Sequence, residues 1–195
     1  KKGKHDTLKF PCEGSTSFDG VNDYINIADS ADLDFGTGAF TIAVWMKQLT
    51  AQRTVIAKGL YDGVGDWLIY EVSADMTFRV DDADPSGGDG ILKIEFSGSS
   101  LINTGWHHLA VTRDGTTVKT YLDGVYKNTG TLEADYDFSN AHNVTIGARE
   151  DGTQLFFEGN ICNVGIWKGR ALSAEEVASV MRKNYSQLKT IEKTS

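Results

Sequence analysis

The sequence predicts an all-β chain, a two-sheet antiparallel sandwich that ends in one short helix. Three observations carry this. The stretch Gly105 to Tyr126 (GWHHLAVTRDGTTVKTYLDGVY) holds alternating runs split by Asp114-Gly115, with a second Asp-Gly at Asp123-Gly124. Asp-Gly between alternating runs marks a tight hairpin, because its turn needs positive φ and glycine supplies it without strain. Similar turn signals recur about every eight to twelve residues, the rhythm of sandwich strands. Finally, 21 glycines against two prolines suit a turn-rich β chain.

The elements follow in order. Ser17 to Ile27 (SFDGVNDYINI) reads as a short strand, a turn and a strand. Asp29 to Asp34 is polar and acidic, and Gly36-Thr37-Gly38 breaks the chain. Phe40 to Lys47 (FTIAVWMK) is apolar on both faces, with Phe40, Ile42, Val44 and Met46 opposite Ala43 and Trp45. Such a strand is covered on both sides or central in its sheet. Thr54 to Lys58 is a short strand, Tyr61 to Asp66 a Gly/Asp loop, and Trp67 to Val72 with Met76 to Asp81 a hairpin. A loop over Asp82 to Gly90 leads into a strand over Ile91 to Phe96.

In the meander, Trp106, His108, Ala110 and Thr112 share one face, and His107, Leu109, Val111 and Arg113 the other. On the return run Val118, Thr120 and Leu122 oppose Lys119, Tyr121 and Asp123. Glu133 to His142 is a long polar connection with aromatics, and Asn143 to Arg149 and Leu155 to Trp167 supply the last strands. Ser173-Ala174-Glu175-Glu176 is a capping box: the Ser hydroxyl accepts from the N–H three residues on, and Glu176 reaches back to the Ser N–H. Ala174, Val177, Ala178 and Met181 follow at helical spacing.

The expected organisation is a lead-in over residues 1–14, one sandwich domain over 15–185 and a polar tail over 186–195. The chain opens Lys-Lys-Gly-Lys with neither an initiator Met nor an apolar stretch behind it, so it reads as a mature form, a fragment or part of a longer protein. The formal net charge of −8 argues against a nucleic-acid partner and against binding to anionic membranes. No apolar run has transmembrane length. Cys12 and Cys162 either join the two ends of the chain in a disulfide or are two buried thiols.

Several of these segments resemble laminin G-like domains of the concanavalin A-like lectin/glucanase superfamily. Ser17-Phe18-Asp19-Gly20 with Asp23-Tyr24-Ile25, and Leu33-Asp34-Phe35-Gly36-Thr37-Gly38 leading into Phe40-Thr41-Ile42 and Trp45, are similar to the family's opening. Trp106-His107-His108-Leu109-Ala110-Val111-Thr112-Arg113-Asp114-Gly115 resembles its central hairpin, with Tyr121-Leu122-Asp123-Gly124 as the return. Ile146-Gly147, Phe157-Glu158-Gly159-Asn160-Ile161, Ile166-Trp167 and Arg170-Ala171-Leu172-Ser173 resemble its closing strands and helix. The likeness runs over residues 15–182 in the expected order. Where the family usually carries an acidic pair, this chain has Cys162 and Asn163. The resemblance implies a jelly-roll sandwich with one concave and one convex sheet. It also implies a non-catalytic module that binds glycans or proteins, often with calcium at the rim.

The residues themselves offer candidate sites. Asp82, Asp84 and Ser86, followed by Gly87, reproduce the first half of an EF-hand-type calcium loop, but Lys93 stands where a closing Glu is needed. The plainer reading is an acidic hairpin loop. Asp19, Asn22 and Asp23 offer oxygens at a tight turn, which such residues also make unaided. For sugar binding, which wants an aromatic face beside planar polar groups, the candidates are Tyr61, Trp67, Tyr70, Arg79 and Arg149. For Trp67 the plainer reading is a packed sandwich residue, and Trp45, Trp106 and Trp167 read as core. No catalytic residues are expected. The nearest carboxylate run, Glu133-Ala134-Asp135-Tyr136-Asp137, lacks the third acid of a glucanase strand. His107 and His108 are adjacent, so in a strand they face opposite sides and cannot share a metal.

The expectation is therefore a glycan-binding or adhesion module, supported by calcium and displayed outside the cell or on a cell or virion surface. Its partner is a glycan or a surface protein. The alternative is a structural or decoration module that contacts copies of itself or a parent assembly and binds no sugar.

Overall fold

A computed structural model describes residue 12 and residues 14–60, 63–73, 75–83, 89–149 and 154–183. Two antiparallel sheets, each of six strands, face each other across one core. The first sheet runs in the order β1 (Thr16–Asp19), β12 (Glu158–Lys168), β3 (Phe40–Gln48), β8 (His107–Asp114), β9 (Thr117–Leu122) and β10 (Val125–Thr131). The second runs β2 (Ile25–Ile27), β11 (Val144–Ile146), β4 (Thr54–Lys58), β5 (Trp67–Val72), β6 (Asp75–Ala83) and β7 (Asp89–Glu95). This is the sandwich that the alternation predicts. Helix α1 (Ala174–Val180) lies on the outer face of the first sheet, where Val177 packs with Ala43, Ala110 and Tyr121.

The strand, turn and strand expected over Ser17 to Ile27 are β1, a turn and β2, and the two strands lie in opposite sheets: β1 pairs with β12 and β2 with β11. One expectation changes. The loop expected over Asp82 to Gly90 is shorter: Asp82 pairs with Gly90 and Ala83 with Asp89, so the ladder continues to residues 84–88. Asp82 and Lys93 thus both stand in the β6–β7 ladder.

The central strand β3 places Phe40, Ile42, Val44 and Met46 in the core and Ala43 and Trp45 on the outer face. Phe35 stacks on Phe40 at 4.2 Å between ring centroids and on Trp67 at 5.5 Å, linking the sheets. Trp45 is half-buried, and its indole N–H donates to the Met181 carbonyl at 3.1 Å, tying the end of α1 to the sheet. Cys12 is joined to Cys162 on β12 in a disulfide.

Two buried cations hold the irregular segments. The Arg113 guanidinium donates to the carbonyls of Gly36 and Tyr136 and to the Asp135 carboxylate at 2.8 Å, and lies 4.6 Å over the Phe138 ring. The Lys58 ammonium donates to Asp29 at 2.9 Å, to Asp34 at 3.0 Å, and to the Asn140 carbonyl and side chain. Burying a charge is tolerated only when it is paired and its donors are used, and both meet that condition. The long connection is thereby fixed, with Phe138 in the core. Among the described residues no helix is long and apolar enough to cross a membrane.

Candidate functional site

A groove of about 570 Å³ opens on the outer face of the first sheet, between the β8–β9–β10 meander and the start of α1. Cross-strand register builds its floor. Tyr121 pairs with Tyr126, Thr112 with Lys119, and Asp114 with Thr117, so alternate outward side chains line up in rows. The segment Ala171 to Ala174 and Glu176 form the wall. That wall is anchored at Thr41, whose hydroxyl donates to the Arg170 carbonyl and accepts from the Leu172 N–H, both at 2.9 Å. Ser173 caps the helix: its hydroxyl accepts from the Glu176 N–H at 3.3 Å, and the Glu176 carboxylate accepts from the Ser173 N–H at 2.9 Å. This engagement holds the Glu176 carboxyl below its ordinary range, chiefly through the Ser173 N–H.

The floor joins a flat apolar ring to groups that seek hydrogen bonds. Tyr126 is 50% exposed and meets Tyr121 edge-on at 6.1 Å. Thr112, Asp114, Thr117, Lys119 and Tyr121 line the same groove, and no hydrogen bond or ion pair engages their side chains among the described residues. Apolar ring beside planar and hydroxyl polar groups is the combination that recognises a sugar ring.

The residues that the sequence singles out lie elsewhere. Trp67 is fully buried and stacked on Phe35, so it is core and cannot take a ligand. Tyr70 and Arg79 sit on the second sheet, each 2% exposed, and Arg79 donates to Asp81 at 2.7 Å. They are unavailable to solvent as an open platform. Arg149 follows β11 and donates to the side chain of Gln154. Tyr61, Asp84 and Ser86 lie outside the described residues, and Asp82 is described only as part of the β6 ladder. The turn after β1 uses its acids as backbone caps. Asp19 Oδ1 accepts from Val21 N at 2.8 Å and Asn22 N at 3.2 Å, and Asp23 Oδ2 accepts from Asp19 N at 3.1 Å. Those bonds, Val21 first, hold the Asp19 carboxyl below its usual range. Among the described residues no three His, Cys, Asp or Glu side chains gather as a metal site.

His107 and His108 face opposite ways, as the alternation predicts. His107 bonds Asp123 through Nδ1 and Thr104 through Nε2, both at 2.9 Å. That chain has the connectivity of a nucleophile–base–acid relay, but the Thr104 hydroxyl is also bonded to the Leu101 carbonyl, and the groove opens elsewhere. His108 is buried beside Trp45, and burial pushes its imidazole down to about 4, against a smaller upward pull from Asp123. Asp135, from the nearest candidate acid run, is spent on Arg113.

A family model for the concanavalin A-like lectin/glucanases superfamily, of the laminin G type, matches residues 19–178. The chain belongs to this superfamily. Solved structures share the lectin-like sandwich at low identity. The binding domain of Paraclostridial Mosquitocidal Protein 1 aligns with a TM-score of 0.64 and 16% identity, over 87% of this chain and 45% of that one. Domain 4 of AbnA, a GH43 extracellular arabinanase from Geobacillus stearothermophilus solved with arabinotriose, aligns with a TM-score of 0.63 and 20% identity, over 86% of this chain and 76% of that one. The CBM40 of the Ruminococcus gnavus IT-sialidase, bound to alpha2,3 sialyllactose, gives a TM-score of 0.59 and 15% identity, over 83% of this chain and all (100%) of that one. This chain thus spans less than half of the first of these and most or all of the other two. No curated protein sequence matches it.

For this superfamily member, the groove residues missed by motif reading were already visible as an outward face. Lys119 and Tyr121 stand opposite Val118 and Thr120 in a meander whose inward side is apolar. The signal that isolates them is a short helix whose buried stripe, Val177 with Val180 packed beside it, is too narrow to cover that face.

Proposed function

We propose that this chain is a non-catalytic glycan-binding module whose site is the groove between the meander and α1. The observation that carries the reading is the half-exposed Tyr126 ring set among Thr112, Asp114, Thr117 and Lys119, all without partners among the described residues. Sugar C–H faces stack on such a ring while hydroxyls bond the surrounding groups. The likeness to Domain 4 of AbnA and to the CBM40 domain, both solved with oligosaccharides, supports the class of ligand. The Cys12–Cys162 disulfide supports an oxidising, extracellular or surface location. A shallow open groove implies weak binding at one site, so useful avidity requires several copies.

The test is a glycan array probed with the wild-type chain and Tyr126→Ala, with calcium and with a chelator. Binding that is lost in the variant supports the reading. Binding that survives Tyr126→Ala, or no binding to any glycan, overturns it. A calcium-dependent rise in the melting midpoint would add the metal, which binds only the folded state by mass action; an unchanged midpoint removes calcium from the reading.

A second reading rests on a separate patch. Val21, Tyr24, Ile25 and Ile27 are exposed around β2, which is an edge strand of the second sheet. An apolar edge of this kind suits contact with a neighbouring protein chain. Sedimentation that shows self-association, abolished by Ile25→Lys, would favour the assembly role.

A further inference from the structure

Helix α1 leaves a second depression on its other flank, about 220 Å³, lined by Trp167, Arg170, Leu172, Glu176, Ser179, Val180 and Lys183. It shares Leu172 and Glu176 with the glycan groove, so the two meet at the start of the helix. The floor is aromatic for a local reason. Gly165 pairs with Ala43 on β3, and a Cβ there would lie 2.6 Å from the Trp167 ring. Glycine at 165 therefore lets the half-buried indole fold over β12, against the Ala43–Leu172–Val177 cluster.

The charges around this floor are unequal. Arg170 is engaged by Glu176, which also caps the helix. Lys183, just past the helix, carries a half-buried side chain with no hydrogen bond or ion pair among the described residues. An aromatic floor lined by one ammonium that is unpaired among the described residues fits a sugar ring that bears a carboxylate.

We propose that this depression is an acidic-sugar subsite of the glycan-binding site. A uronate or sialate residue lies on Trp167 with its carboxylate on Lys183, while the next sugar crosses the Leu172–Glu176 rim toward Tyr126. The proposal rests on the glycan reading above and sharpens it. The module selects oligosaccharides that carry a carboxylate, although the whole chain has a net charge of −8. Overall repulsion is screened beyond about 8 Å at physiological salt, whereas a direct, partly buried ion pair is screened much less and weakens only as salt is raised further.

The experiment is an array of neutral oligosaccharides printed beside their uronate- and sialate-bearing counterparts, followed by calorimetric titration of the best acidic probe. Lys183→Gln should weaken that probe about tenfold and leave its neutral counterpart unchanged. Trp167→Ala should weaken it by a similar factor, and higher salt should weaken wild type more than Lys183→Gln. Thermal melting checks that each variant is folded, and Lys183→Gln, which removes no packing in the core, decides the matter if Trp167→Ala is not. Preference for neutral probes, or acidic binding indifferent to Lys183→Gln, overturns this subsite while the Tyr126 groove stands. Absence of binding to every probe overturns both.

Discussion

The two outer faces of the sandwich are built from the same alternation yet meet different fates. On the second sheet, Leu68, Tyr70, Thr77 and Arg79 point away from the core and are still buried. On the first sheet, α1 covers Ala43 and Ala110 but leaves Asp114, Lys119 and Tyr126 open beside it. Pointing outward is therefore not the same as being available. A period of two says which residues leave the core, and only the third layer of chain decides which of them meet solvent.

The comparison breaks most visibly at Arg79. Its guanidinium is buried and paired with Asp81. Arg79→Leu breaks this buried ion pair by removing one partner, and we expect a loss of about 3–5 kcal/mol in urea denaturation. A loss below about 1 kcal/mol would mean that this face behaves as open surface, the result expected for ordinary exposed positions.

The first face has its own buried point, His108, and it answers to pH. In the folded chain its imidazole is held at about 4, while in the unfolded chain it takes a proton near the ordinary value of 6.5. Between those values the unfolded chain holds more protons, so stability falls as pH drops from about 6.5 to 4 and this contribution is spent below that. A depression of that size corresponds to on the order of 3 kcal/mol. Melting curves across this range should show the decline, and His108→Phe, which keeps a ring beside Trp45, should flatten it. The carboxylates held low, Asp19 and Glu176 among them, begin to lose their contributions only near their ordinary values of 3.8 and 4.5, so they overlap the acidic end of this window and leave its upper part to His108.

The fold was legible because each strand carries its own record. The double-sided FTIAVWMK run lies inside its sheet, Asp114-Gly115 turns a hairpin, and Ser173 with Glu176 caps the helix. The site was less legible for a reason of the same kind. Trp67 was a candidate because tryptophan suits sugars, but its role was decided by Phe35, more than thirty residues away in the chain. Asp19 and Asp23 read as turn formers with a metal role open beside it, because a turn cap and a calcium ligand ask for the same oxygen; the N–H groups facing them show the turn cap. Tyr126 carried no motif, and comes to line a groove through Tyr121 beside it and a helix that stops short of it.

The helix position is what separates the faces, so loosening it sharpens the test. Ser173→Ala removes the hydroxyl that accepts from the Glu176 N–H and should cost about 1 kcal/mol. Because Ser173 and Glu176 wall the glycan groove, we expect weaker glycan binding together with the stability loss, measured by denaturation and titration on the same sample.

Tyr126 gives the smallest effect on stability and the cleanest separation. Its ring is half-exposed on β10, the last strand of its sheet, and among the described residues its edge-on contact with Tyr121 is its one aromatic contact. Tyr126→Ala should change stability by no more than about 0.5–1 kcal/mol. The same substitution removes the apolar platform of the groove and should abolish measurable binding to the best array probe. Arg79→Leu read in parallel should do the reverse, with a large stability loss and, at temperatures where the variant is still folded, unchanged binding. If Tyr126→Ala instead unfolds the chain, the open face is structural after all. If Arg79→Leu removes binding from a folded protein, the ligand sits on the second sheet.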